Sequence, residues 1–126
     1  MYTILRITGI ADQLNKLLGV LKVRSPELSP DINKRKDLVC NLSKNPSVEH
    51  WAEVADALER VSEAISETEI GDIGLLVDTM FDLKKLPGGG VAVDTLSVSQ
   101  IALAAMASIG ADFEATIYRP VTDEEV

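Results

Sequence analysis

Residues 47–69 constrain the fold of this chain most strongly, because they have the pattern of one long amphipathic helix. Apolar side chains recur along this segment at spacings of three and four, which places them on one helix face. They are Val48, Trp51, Ala55, Leu58, Val61 or Ser62, and Ile65. Such a helix is stable when its apolar face is buried against another element. We therefore expect Trp51, Leu58 and Ile65 to be buried together in the core.

Segments of alternating polarity on both sides of this helix predict a β-sheet. They are rich in β-branched residues, and their side chains change face at every residue, as in half-buried strands. The predicted strands are residues 2–8, 20–23, 37–43, 72–83 and 111–119, with a further strand beginning at Val91.

Two shorter helices complete the predicted elements. Residues 11–18 place three leucines on one helical face, and Gly19 supplies a C-terminal stop. A later helix begins after the hydroxyl of Ser97 or Ser99, which can cap it, and ends before Gly110.

These elements predict an α+β fold in which three helices pack on one face of a mainly antiparallel sheet. When Gly19 is laid on Gly110, both segments contain a strand, a small polar cap, a helix and a glycine, followed by a strand. This weak repeat is consistent with a duplicated β-α-β plan of the split or ferredoxin-like type. Because 126 residues is the usual size of one domain, we expect a single domain over residues 1–120 and an acidic tail over residues 121–126.

Composition excludes several classes of protein. The apolar fraction of 46% is too high for a disordered chain. No apolar run approaches the ~20 residues that a membrane helix needs. The starting sequence MYTILRIT lacks the basic segment of a signal peptide. We therefore expect a cytoplasmic protein that does not act at a membrane.

The chain has one cysteine, Cys40, and one histidine, His50. An intrachain disulfide and the common Cys/His zinc patterns are thereby excluded. Cys40 is predicted to be a small core or edge residue and not a nucleophile, because no basic partner that would activate its thiol is evident. Asp72, Asp78 and Asp82 raise the possibility of a cation site, but they lack a loop of converging oxygens and are better explained as solvent-facing carboxylates. We expect no metal and no cofactor.

Three consecutive glycines, Gly88 to Gly90, resemble part of a phosphate-binding loop. Such a loop places its glycines directly before a helix, where backbone N–H groups can face the phosphate. Here the glycines precede the strand predicted to begin at Val91. The pattern therefore indicates a flexible connection between two strands.

Charge is unevenly distributed along the chain. Residues 1–46 carry eight basic and four acidic side chains, a net charge of +4, whereas residues 47–126 carry sixteen acidic and four basic ones, a net charge of -12. The acidic portion would repel nucleic acid and attract a basic protein.

The long helix contains much of this acidity on its polar face. The acidic residues are Glu49, Glu53, Asp56, Glu59, Glu63, Glu67 and Glu69, with only Arg60 in opposition. Like charges at i,i+4 cost a few tenths of a kcal/mol each in an isolated helix. A solvated face would account for the pattern, but a basic partner accounts for it better. We predict that Glu49, Glu53, Asp56, Glu63 and Glu67 bind such a partner.

The sequence TLSVSQIALAAMASIGADFEATIY, together with TILRITG and LLGV near the start, resembles a poorly characterised bacterial family of small α+β domains. The chain departs from that pattern at Asp37, Leu38 and Val39, where an aromatic strand is expected. Some members are immunity proteins of contact-dependent or polymorphic toxin systems. The resemblance implies non-catalytic protein binding.

Three hypotheses about function follow. The leading hypothesis is an immunity protein whose acidic face covers the basic cleft of a toxin nuclease. The first alternative is a regulatory or phage-encoded module that binds a protein by its sheet edge. The second is an enzyme or small-ligand binder that uses His50 with Glu53 or Glu49. A lone helical histidine beside glutamates is more often a surface residue, so we do not expect an enzyme.

Overall fold

A computed structural model describes residues 1–82 and 97–118 of the chain. These residues form three α-helices, one 3-10 turn and five strands. In chain order the elements are β1 (Tyr2–Thr8), α1 (Ala11–Arg24), the 3-10 turn (Pro26–Leu28), β2 (Asp31–Ile32), β3 (Leu38–Ser43), α2 (His50–Thr68), β4 (Gly74–Asp82), α3 (Gln100–Ile109) and β5 (Asp112–Tyr118). Of the helices described, none is long and apolar enough to cross a membrane.

The strands form one sheet in the order β2-β3-β1-β4-β5. β1 lies between β3 and β4 and is antiparallel to both, β2 is antiparallel to β3, and β4 and β5 are parallel. Because β3 and β4 are both antiparallel to β1, they run in the same direction, and in the order of described elements α2 and α3 each lie between two strands of equal direction. The predicted α+β class, with a mainly antiparallel sheet, is confirmed. Apart from the 3-10 turn, the first six elements, β1-α1-β2-β3-α2-β4, have the β-α-β-β-α-β order of the ferredoxin-like arrangement, and α3 and β5 follow them.

The core lies between the helices and one face of the sheet. Along β1 the side chains of Thr3, Leu5 and Ile7 are fully buried, whereas the intervening residues are half-buried. The strand register places Leu5 opposite Cys40 of β3 and Val77 of β4. Since side chains alternate along a strand, these residues share the face against which the helices pack.

The long helix was predicted correctly over most of its length, but not at its start. Trp51 and Leu58 are buried, and Ile65 packs against the same core at its margin. Val48, placed on the apolar face by the sequence pattern, is 98% exposed. The reason is that α2 begins at His50, so Val48 lies in the preceding turn and does not follow the helical period.

The region around Gly19 contradicts the sequence prediction. α1 continues through Gly19 to Arg24, so residues 20–23, predicted as a strand, are helical. Leu21 continues the buried side of α1, and this packing outweighs the weak helix propensity of a single glycine. The helix ends at Ser25, whose N–H donates to the Leu21 carbonyl at 2.8 Å, immediately before Pro26.

Gly110, the counterpart of Gly19 in the predicted repeat, does end a helix. It adopts the left-handed conformation with φ 75°, and its N–H donates to the Ala107 carbonyl. The Ala111 N–H donates to the Met106 carbonyl, which completes a glycine C-cap. The two glycines therefore occupy different structural positions. In the described part of the chain, α3 also lacks the predicted hydroxyl cap. Ser99 lies at the N-cap position, but its buried Oγ has no hydrogen-bond partner among the described residues.

The remaining predicted strands correspond to β1, β3, β4 and β5; β1 has the predicted bounds, and the ends of the other three differ from the predicted ones by at most two residues. The predicted connection at Gly88–Gly90, the strand beginning at Val91 and the acidic tail over residues 121–126 lie outside the described residues.

Candidate protein-binding surface

Four of the five carboxylates predicted to bind a partner lie on one exposed side of α2, and Glu49 immediately precedes the helix; together they are here called the acidic stripe. Its members are Glu49, Glu53, Asp56, Glu63 and Glu67. Consecutive members are one or two helical turns apart, which is why they share one side of the helix. Arg60 lies within the stripe. Glu59 is turned from it toward α3, and Glu69 follows the last helical residue in a left-handed conformation.

Two arginines pair with part of the acidic stripe. Arg60 Nε lies 3.2 Å from Asp56 Oδ2, and Arg60 Nη1 pairs with Glu27 of the 3-10 turn. Arg24 Nε, at the end of α1, lies 2.9 Å from Glu67 Oε2. The paired side chains are about half exposed, so each pair contributes about 0–1 kcal/mol to stability. Sequence analysis missed Arg24 and Glu27, because only the tertiary fold brings them to α2.

Glu53 is held in place by the connection between β3 and α2. Ser43 Oγ donates to Glu53 Oε2 at 2.6 Å, and Asn45 Nδ2 donates to Oε1 at 3.3 Å. The Ser43 hydrogen bond, followed by the Asn45 hydrogen bond, lowers the pKa of Glu53 because both stabilise the ionised carboxylate. Glu53 is therefore a positioned negative charge near the start of the stripe.

Glu49 and Glu63 are the unpaired members of the stripe. Within the part of the chain that the structure describes, neither carboxylate has a hydrogen bond or ion pair. Glu63 borders a shallow hollow of about 230 Å³ together with Arg24, Ser25 and Arg60. These two carboxylates are available to external donors without the loss of an internal interaction.

His50 is fully buried, so its expected surface position is wrong. Its Nδ1 donates to the Asn45 carbonyl at 2.7 Å, and a carbonyl oxygen can only accept. In the neutral ring, Nε2 therefore accepts from the Thr3 hydroxyl at 2.7 Å. The Thr3 oxygen in turn accepts from the Thr79 hydroxyl at 2.8 Å. This buried chain of hydrogen bonds fixes the start of α2 to β1 and β4.

These hydrogen bonds leave no ring nitrogen of His50 free for the acid–base pair with Glu49 or Glu53 that the sequence suggested. Both ring nitrogens of His50 are occupied by internal hydrogen bonds, and neither Glu49 nor Glu53 is hydrogen-bonded to the ring. A sequence signal for the buried position did exist. Thr3 shares its strand face with apolar Leu5, and a threonine on a core-facing side requires a polar partner.

The other candidate reactive groups are also part of the packed structure. Cys40 is fully buried in β3, as predicted, and burial raises the pKa of its thiol to about 12. Asp78, interpreted as solvent-facing, is only 6% exposed and accepts a hydrogen bond from the Thr116 hydroxyl at 3.0 Å. Among residues 1–82 and 97–118, no three His, Cys, Asp or Glu side chains are grouped so that they could hold a metal ion.

Comparison with protein-family models, with characterised proteins and with solved structures finds no match to this chain.

Proposed function

We propose that this protein is a non-catalytic domain that binds a basic protein through its acidic stripe. The partner is a toxin domain, most specifically a nuclease, and the protein acts as its immunity protein in the cytoplasm. The observation that carries the proposal is the exposure of Glu49 and Glu63, whose carboxylates have no partner among the described residues. Between them, Glu53 and Asp56 are already positioned by their own neighbours.

The electrostatics of the stripe support a mechanism in which the protein inhibits a nuclease by occupying its nucleic-acid cleft. A nuclease cleft contains Lys and Arg side chains that hold phosphates. Carboxylates that are arranged in advance can pair with the same side chains and exclude the nucleic acid. The charge asymmetry would also accelerate association through long-range attraction, which weakens as salt is added.

The two alternative functions make use of other parts of the molecule. An enzyme that depends on His50 is disfavoured, because the ring is buried and both of its nitrogens are engaged. Binding at a sheet edge has a specific observation in its favour, since β5 ends the described strand order. Binding through β5 would be weakened by Ala115→Pro, because this substitution places a proline in the terminal strand. It would not be affected by charge changes on α2.

The test removes the two unpaired charges. We expect the double variant Glu49→Gln/Glu63→Gln to fold normally, because it relieves i,i+4 repulsion with Glu53 and Glu67. The binding partner in the test is the purified toxin domain encoded by the neighbouring gene. The double variant should associate with it about fivefold more slowly at low ionic strength. Stopped-flow measurements at low and high salt should show that the difference shrinks as salt is raised.

The matched control is Asp112→Asn/Glu114→Gln, which removes the same formal charge from exposed positions of β5. It should change the association rate less than the stripe variant does. Equal slowing by both variants would assign the effect to net charge and reject the stripe as the binding surface. Unchanged rates in the stripe variant would reject the proposed function.

A further inference from the structure

An open groove runs between α2 and α3, beside the acidic stripe. Its volume is about 460 Å³. Small side chains, Ala55 of α2 and Ala105 of α3, keep the groove open. Ile101 and Ile109 of α3 supply much of its exposed apolar lining, and the buried Leu58 of α2 also borders it. The groove thus offers aliphatic surface between two helices that cover the same face of the sheet.

Among the described residues, the charges that border the groove come from one side only. Asp56 and Glu59 of α2 border it, whereas α3 contains no charged residue from Gln100 to Ile109. Asp56 belongs to both the groove and the acidic stripe, so the two surfaces are continuous. Ile101 remains 59% exposed although it lines the groove. An occupant must therefore combine aliphatic groups toward α3 with positive charge toward α2.

We infer that the groove receives a cationic amphipathic helix of the partner protein. This inference rests on the proposed function, and it specifies the part of the basic partner that binds. A helix can insert apolar side chains between α2 and α3 while its Lys or Arg residues reach Glu59, Asp56 and the rest of the stripe. A strand or loop that carries charge alone would leave Ile101 exposed to water. A purely apolar helix would leave the bordering carboxylates without counter-charges.

The experiment uses two synthetic peptides of identical composition. One is a helix with leucine on one face and lysine on the other, and the second is its scrambled isomer, which carries the same charge without an apolar face. We expect the amphipathic peptide to bind the whole protein about tenfold more tightly, because only it can fill the groove. Fluorescence anisotropy of labelled peptides measures both dissociation constants.

Two matched variants of α3 show whether the amphipathic peptide binds in the groove. Ile101→Ser should abolish the preference for the amphipathic peptide. Leu103→Ser should preserve it, because Leu103 is similarly exposed on α3 but does not line the groove. Circular dichroism establishes that both variants fold, as expected for exposed positions. Loss of the preference in Leu103→Ser as well would overturn the assignment to the groove.

The outcomes separate this inference from the proposed function. Equal affinity for the two peptides, with weaker binding by Glu49→Gln/Glu63→Gln, would overturn the groove while leaving the acidic stripe in place. A preference that depends on Ile101 but not on Glu49 and Glu63 would support the groove and count against the stripe. A dimer of the free protein that Ile101→Ser dissociates, seen by sedimentation, would assign the groove to a second copy of the chain and overturn the inference.

Discussion

The inner and outer sides of α2 are held by different chemistry. On the inner side Val54, Leu58 and Val61 are almost completely buried, and the polar ring of His50 has both nitrogens bonded. On the outer side exposed carboxylates are only partly matched by Arg24 and Arg60. Substitutions on the inner side should therefore change stability. Those on the outer side should mainly change recognition, so the helix separates the two roles.

The largest effect should come from the apolar part of the inner side. Leu58→Ala should lower the free energy of unfolding by about 2–5 kcal/mol, because it removes buried methyl groups and leaves a cavity. Leu103→Ala should change it by less than about 0.5 kcal/mol, since that side chain is already half exposed. Urea denaturation of both variants measures the difference. Similar values for the two would show that α2 does not provide the core.

A smaller effect is expected from the polar part of the inner side. Thr3→Val should cost about 1–3 kcal/mol, because the Thr79 hydroxyl and His50 Nε2 would each lose a partner in the interior. Thr8→Val, at an exposed position of the same strand, serves as the control for the substitution. Thermal and urea denaturation compare the two. A Thr3→Val protein as stable as the control would mean that the buried chain of hydrogen bonds contributes nothing net.

The smallest effect concerns the outer side. Ser43→Ala should raise the pKa of Glu53 toward its ordinary value of 4.5, because the first of the two hydrogen bonds to the ionised form is lost. In the wild type, the lowered pKa of Glu53 stabilises the folded state at pH values above the ordinary pKa of this carboxyl group. This stabilisation is lost as the pH falls through the folded-state pKa, so acidification should destabilise the wild type more than the variant.

Carboxyl NMR titration follows Glu53 directly. Ser66→Ala, at an exposed position of α2, provides a control that should leave the Glu53 titration unchanged. An unaltered Glu53 curve in Ser43→Ala would show that the hydroxyl does not set the pKa.

Periodicity predicted the long helix, four of the strands and the exposed stripe, because each depends on how neighbouring residues share a face. It failed where distant groups decide the outcome. Gly19 stops a helix in isolation, yet packing continues α1 beyond it. His50 looks like a surface residue until β1 supplies Thr3 and β4 supplies Thr79. The pairing of Glu67 with Arg24 likewise follows from the packing of α1 against α2, which no local pattern contains.

The central position of β1 has a consequence for biosynthesis. This strand leaves the ribosome before its neighbours, but its two partners come much later, β3 about thirty residues on and β4 only after α2. Until β4 emerges, one edge of β1 is without its native partner, and loop-closure entropy opposes such a distant contact. A nascent chain that stalls before Gly74 therefore presents an open template of backbone donors and acceptors. For this fold, the vulnerable interval for chaperones to protect lies between the synthesis of its first strand and that of its fourth.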